Sequence, residues 1–129
     1  VDGITAAKSL GKDPKTVYKT LVTQASSRAY YVFVIPVAEN LSLKKAARAC
    51  GEKNLEMIHV RDINKVTGYI RGGCSPIGMK KTYPTYIDQS AKDIETITVS
   101  AGKVGYQVEL SPDDLINLIK GQYADLIAD

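Results

Sequence analysis

The sequence predicts a mixed α+β domain: a substantial, partly antiparallel sheet with helices packed against it. Three observations carry this. Runs of β-branched and aromatic residues recur, as in residues 17–22 and 30–36. Short helical patterns lie between them, opened by Ser or Asp and closed by Gly. Strands and helices intermingle with no regular βαβ rhythm. The 129 residues fit one core, residues 1–129 forming a single domain without repeats, low-complexity tracts or a linker.

Each element follows from local chemistry. Residues 4–10 read as a short helix that Gly11 closes. Asp13-Pro14 starts a turn or a single helical turn, with Asp as cap and Pro at the first position. Residues 17–22 are a strand, and the small polar residues 24–29 connect it to the next. Residues 30–36 (Tyr-Tyr-Val-Phe-Val-Ile-Pro) are apolar throughout, as in a central strand buried on both faces. Ser42 caps a helix reaching Cys50, with Gly51 as its stop; Leu43, Ala46, Ala47 and Cys50 share one side of it. Residues 55–60 form a strand, and Asp62 caps a short helix through Val66. A glycine-rich loop follows over residues 67–78. Residues 82–87 form a strand that Pro84 assigns to a sheet edge. Residues 96–99 and 106–110 are strands joined through a flexible turn. Ser111-Pro112-Asp113-Asp114 opens a last helix expected to run to about Ile127, with Leu115, Ile119, Tyr123 and Leu126 inward.

Composition narrows the classes. With 44% hydrophobic and 24% charged residues, the chain has the make-up of a soluble globular protein. No apolar stretch approaches the roughly 20 residues that span a membrane. No export signal is visible, so the expectation is a cytoplasmic protein with Cys50 and Cys74 reduced. One His and two widely spaced Cys make no zinc motif, and no metal is expected. The net charge is only +3, but it is unevenly spread. Residues 41–81 hold nine Lys/Arg against three acids, and residues 82–129 hold three against eight. Such a dipolar surface suits a nucleic acid on one side, and equally an ordinary solvated exterior.

Lys19 stands out. On a strand, Val17, Lys19 and Leu21 share one face, and Tyr18, Thr20 and Val22 the other. A Lys between two aliphatics needs a partner, an opening to solvent or a lowered pKa. Either its stem lies on the core with the amine in water, or the strand aims it into a pocket beside Thr20. In the glycine loop, Gly72-Gly73 permit close backbone approach. They form an amide-lined wall for a carbonyl or ribose oxygen, or merely a tight turn; the phosphate-loop pattern is absent. The turn 100–105 offers the Ser100 hydroxyl, exposed amides and Lys103, or is a plain hairpin turn. Cys74 as a nucleophile would need a base, and nothing places His59 near it. The basic set Lys44, Lys45, Arg48, Arg71, Lys80 and Lys81 permits phosphate contacts. Tyr69 and Tyr83 alone are too few for a base-stacking surface.

Four segments, in order, resemble the YbaK/EbsC family of trans-editing deacylases, related to the editing domain inserted in bacterial prolyl-tRNA synthetases. They are Val17-Tyr18-Lys19-Thr20-Leu21, Leu43-Lys44-Lys45-Ala46-Ala47, the run from Thr67-Gly68-Tyr69 to Lys80-Lys81, and Val99-Ser100-Ala101-Gly102-Lys103-Val104-Gly105. The resemblance implies a curved, partly barrel-like, largely antiparallel sheet flanked by helices. It implies hydrolytic clearance of Cys-tRNA(Pro), extending to Cys-tRNA(Cys), in which the substrate's own thiol attacks the ester. Ala-tRNA(Pro) deacylation and a non-catalytic tRNA- or synthetase-binding module are the alternatives. Lys19 would be the catalytic cation that fixes the substrate. Thr20, Gly72, Gly73, Ser100, Gly102 and Gln107 would bind it, and Lys44, Lys45, Arg71, Lys80, Lys81 and Lys103 would meet the tRNA acceptor end. The partners implied are aminoacyl-tRNA and prolyl-tRNA synthetase, with no cofactor and no membrane. Two departures are expected. The family's first strand, which carries a pocket Tyr, is absent before residue 4, and Gln107 stands where family members often carry Asp.

Overall fold

The computed structural model describes residues 3–129. Its elements are α1 (Gly3–Ser9), β1 (Tyr18–Ala25), β2 (Tyr30–Pro36), α2 (Leu43–Cys50), β3 (Leu55–Met57), α3 (Ile63–Thr67), β4 (Thr85–Asp88), β5 (Ile97–Ser100), β6 (Gln107–Leu110), α4 (Pro112–Ile119) and β7 (Gln122–Ala124). Five strands form one sheet in the order β3-β1-β2-β4-β7, and β5 and β6 form a hairpin. β1 pairs antiparallel with β2 and β3; β2–β4 and β4–β7 are parallel. The sheet is therefore mixed, with two antiparallel and two parallel pairings.

The sheet has a core on each face. Tyr18, Val34 and Ile87 pack on Ile97, Val99 and Leu115 on one side. Phe33 and Ile35 pack on Ala46, Ala47 of α2 and on Leu126 on the other. β2 is buried through Val32–Pro36, which is why its sequence is continuously apolar. α2 starts where the Ser42 hydroxyl accepts from Lys45 N–H at 3.1 Å and stops at Gly51, φ 75°.

Four sequence expectations change. β4 is not an edge: it lies between β2 and β7. Pro84 precedes the strand, and its carbonyl still accepts from Val32 N–H at 3.0 Å, so the missing N–H costs no ladder bond. α4 ends at Ile119 rather than near Ile127, because Lys120 turns left-handed at φ 53°. Gly121 then passes so close to Thr85 O that a Cβ would lie 3.1 Å from it, which lets β7 form beside β4. Tyr123 and Leu126 still point inward, but from β7 and the segment after it. β3 ends at Met57, and a 3-10 turn (Val60–Asp62) follows. Asp62 makes no side-chain cap to α3 and instead faces Lys65 at 3.7 Å.

Candidate active site

The site grows from one backbone contact. Val17 forms a parallel bridge with Thr98 of β5. Paired residues on neighbouring strands point to one face, as do the residues two further on. Lys19 and Ser100 therefore share a face. The hairpin extends it, because Ser100 pairs with Gln107 and Thr98 with Glu109. Tyr18, Ile97 and Val99 take the other face and join the core, with Val108 and Leu110 packed against them. Lys19, Ser100 and Gln107 thus form a row across three strands. The bridge is isolated: among the described residues no further ladder joins β1 to β5 beyond it, on the side where Ser100 ends β5.

Lys19 is half-buried, and among the described residues its ammonium has neither hydrogen bond nor ion pair. Burial pushes its pKa below the ordinary lysine value, and the charge of Glu39 acts against that shift. Glu39 follows β2 in a turn that Val37 N–H pins to Val17 O at 2.9 Å. In the neighbouring row, which runs through Val17 and Thr98, Lys12 pairs with Glu109, which also accepts from Thr96 Oγ1 at 2.6 Å. These hydrogen bonds, Lys12 first, hold the Glu109 carboxyl below its usual range. Glu109 is therefore neutralised by Lys12 rather than by Lys19.

Thr20 does not join the row. It pairs with Val34, while Lys19 pairs with Ile35, and those partners belong to opposite cores. The expected Lys19–Thr20 pair is split by strand alternation. Thr20 Oγ1 is buried, with no hydrogen-bond partner among the described residues.

The two glycine loops meet beside Ser100. A Cβ on Gly73 would lie 3.2 Å from Val104 N, and one on Gly102, already at φ +105°, would lie 3.0 Å from Cε1 of Tyr69. Tyr69 Oη donates to the Ile77 carbonyl. One ring thus wedges the loop 67–78 against the turn that follows β5. Gly72, at φ +83°, faces the Val104 side chain. Ser100 Oγ accepts from Gly102 N–H at 3.3 Å, which leaves its own proton free to donate. The loop amides and this hydroxyl can meet a carbonyl or ribose oxygen, and Lys19 can meet negative charge.

The remaining candidates scatter. Lys45 is committed within the chain, bonding Ile127 O at 2.9 Å and facing Asp129 at 3.3 Å and Asp125 at 3.4 Å. Burial works to lower its pKa, but the hydrogen bonds to Asp129 and Asp125 prevail and raise it. This removes Lys45 from the acceptor-end contacts expected of it. Lys44, Arg71, Lys80, Lys81 and Lys103 are exposed, with Lys103 Nζ 5.9 Å from the Tyr106 ring centroid. Cys74 packs against Val22, Val32 and Val66, and burial raises its thiol pKa, the reverse of what a nucleophile needs. His59 is exposed, and no hydrogen bond joins it to Cys74 among the described residues. The described residues hold no cluster of metal ligands and no helix long and apolar enough to cross a membrane.

Two surface concavities lie elsewhere. One of about 320 Å³ runs between Pro76, Tyr83 and Leu118, and one of about 400 Å³ runs between α2 and β3; Lys19 lines neither. Sequence reasoning missed Glu39, which no local pattern links to Lys19. It also missed the wedge at Tyr69, although Tyr69 follows Gly68 within the glycine loop.

The chain is similar to several known proteins. A family model described as "Aminoacyl-tRNA editing domain" matches residues 3–118. An Enterococcus faecalis protein named "Putative Cys-tRNA(Pro)/Cys-tRNA(Cys) deacylase EbsC" is 49% identical over 120 residues, covering 93% of this chain and 73% of the relative. A solved structure described as "Crystal structure of a putative trans-editing enzyme for prolyl tRNA synthetase" superposes with a TM-score of 0.88 at 25% identity, over 98% of this chain and 80% of its own. A hypothetical protein at 21% identity superposes with a TM-score of 0.91, over 98% of this chain and 84% of its own, and shares the fold.

Proposed function

The chain belongs to the aminoacyl-tRNA editing domain family, in its YbaK/EbsC-like group, and on that premise we propose that it is a trans-editing deacylase of Cys-tRNA(Pro), with Cys-tRNA(Cys) as a further substrate. The observation that carries this reading is the row Lys19–Ser100–Gln107 next to the Val17–Thr98 bridge. It presents a cation, Lys19, that has no ion-pair partner among the described residues, and a hydroxyl able to donate, beside two glycine loops.

Lys19 fixes the polar end of the aminoacyl ester. Ser100 and the amides around Gly72, Gly73 and Gly102 hold the ester carbonyl and the ribose. Gln107 closes the row with a neutral amide that both donates and accepts. The substrate's thiol, as thiolate, bonds to its own carbonyl carbon. The carbon–oxygen ester bond then breaks, the terminal ribose oxygen takes up a proton, and cysteine leaves as a cyclic thiolactone that water opens. This chemistry asks for orientation and charge stabilisation rather than a protein nucleophile, which suits a chain whose half-buried Cys74 has its thiol pKa raised. The acceptor end of the tRNA lies over exposed lysines, and prolyl-tRNA synthetase is the natural partner for choosing the tRNA.

Labelled aminoacyl-tRNAs test the reading. Release of cysteine from Cys-tRNA(Pro), with little release of alanine from Ala-tRNA(Pro), supports it. Preferential alanine release transfers the assignment to the Ala-tRNA(Pro) reading. Binding without release of either amino acid makes the chain a tRNA-binding module.

A further inference from the structure

We propose that the groove between α2 and β3 is a docking surface for the phosphate backbone of an RNA stem. The groove has a volume of about 400 Å³ and is lined by Lys44, Arg48, Lys53 and Asn54 around Glu52 and Leu43. Lys44 and Arg48 stand four residues apart on α2, hence on one flank of the helix. Lys53 and Asn54 lie just before β3 and face them across the groove. Three cations line this surface, and among the described residues none has an ion-pair partner.

The one acid in the lining is already occupied. Glu52 Oε2 accepts from Tyr31 Oη at 2.6 Å and from Ser27 Oγ at 3.0 Å. Both donors are neutral hydroxyls, so the lining keeps one carboxylate against three cations, and the bond from Tyr31 pushes that hydroxyl up to about 12. Lys45, the neighbour on the same helix, is tied to Asp125 and Asp129. Of the cations on α2, Lys45 is thus paired within the chain, whereas Lys44 and Arg48 have no ion-pair partner among the described residues.

Position favours RNA over an acidic peptide. The groove and Lys19 lie on the same face of the sheet, the face α2 covers. Leu55 of β3 pairs with Ala25 at the far end of β1. Six residues of strand separate Ala25 from Lys19, about 20 Å at 3.3 Å per residue. An acceptor stem whose 3′ end enters the Lys19 row would have its backbone at that reach. The inference rests on the tRNA-editing reading for the identity of its ligand.

The test uses the Arg48→Gln/Lys53→Gln variant of the full chain and three readouts. The first is binding of uncharged tRNA across a salt series. The expected result is a loss of about tenfold or more in affinity and a log–log salt slope shallower by roughly 0.7–0.9 per lost contact. The second is cleavage of a cysteinyl ester of adenosine, which has no stem and should react at the unmodified rate. The third is the Arg48→Lys/Lys53→Arg variant, which should keep both affinity and slope. Unchanged tRNA affinity, an unchanged slope, or loss of the small-ester reaction with the glutamine pair overturns the proposal. If the protein cleaves neither ester yet loses tRNA affinity in that variant, the docking surface stands and the deacylase reading falls.

Discussion

Val17 and Thr98 meet in a single parallel bridge, and that contact sets Lys19 and Ser100, each two residues further on, on the same face of the molecule. One position of slip would turn Thr20 to that face instead of Lys19. The register between β1 and β2, Lys19 on Ile35 and Thr20 on Val34, excludes the slip.

The half-buried ammonium of Lys19 costs stability. Its pKa is lowered in the folded chain by burial, so the unfolded chain binds this proton more tightly. Stability therefore rises with pH through the window between the lowered value and 10.5, and below that window the charged form opposes folding. Lys19→Met should raise the thermal midpoint at neutral pH by roughly 2–5 °C while abolishing editing. A fall in the midpoint would contradict a net cost of burying the ammonium.

Glu39 opposes the shift at Lys19. Affinity for a non-hydrolysable cysteinyl-adenosine analogue should weaken as pH rises through the lowered Lys19 pKa, below the ordinary 10.5. Glu39→Gln removes the opposing charge and should move this limb to lower pH. Lys19→Arg, which keeps its charge throughout, should remove the limb. Titrations that coincide for all three proteins would contradict the assignment.

Thr20 carries a buried hydroxyl with no hydrogen-bond partner among the described residues. Thr20→Val keeps the shape and removes the unsatisfied group, so it should be neutral or stabilising by about 1 kcal/mol. The urea midpoint should rise with the slope m unchanged.

Tyr69 holds the two glycine loops together. Gly102→Ala forces a Cβ against its ring at a left-handed φ, and should destabilise by about 1–3 kcal/mol and raise KM for the ester. Tyr69→Phe loses only the hydrogen bond to Ile77 and should cost about 1 kcal/mol with a smaller rise in KM. Equal effects from the two would place the constraint in the hydroxyl rather than the ring.

Much of the fold is legible in the chain because its signals are local. Ser42 and Gly51 bound α2, Ser111-Pro112 opens α4, and the apolar run of β2 marks the strand buried on both faces. The end of α4 misleads because Leu115, Ile119, Tyr123 and Leu126 keep helical spacing although Lys120-Gly121 breaks the helix; the inward residues are the same, on different elements. Pro84 misleads because a proline just outside a strand looks in sequence like one within it. Lys19 is legible as an odd charge, and its tie to Ser100 and Gln107 comes with the family resemblance. Their common face depends on a parallel bridge between residues 81 apart, for which no local pattern exists. Glu39, Tyr69 and the loss of Lys45 to Asp125 and Asp129 are likewise contacts of tertiary packing.

The most direct test compares cysteine release from Cys-tRNA(Pro) by the unmodified chain, Lys19→Ala and Thr20→Val. The expected result is a loss of about 10²–10³ in rate for Lys19→Ala and near-full activity for Thr20→Val. Full activity in Lys19→Ala, or a loss confined to Thr20→Val, would contradict a site built on the Lys19 face of β1.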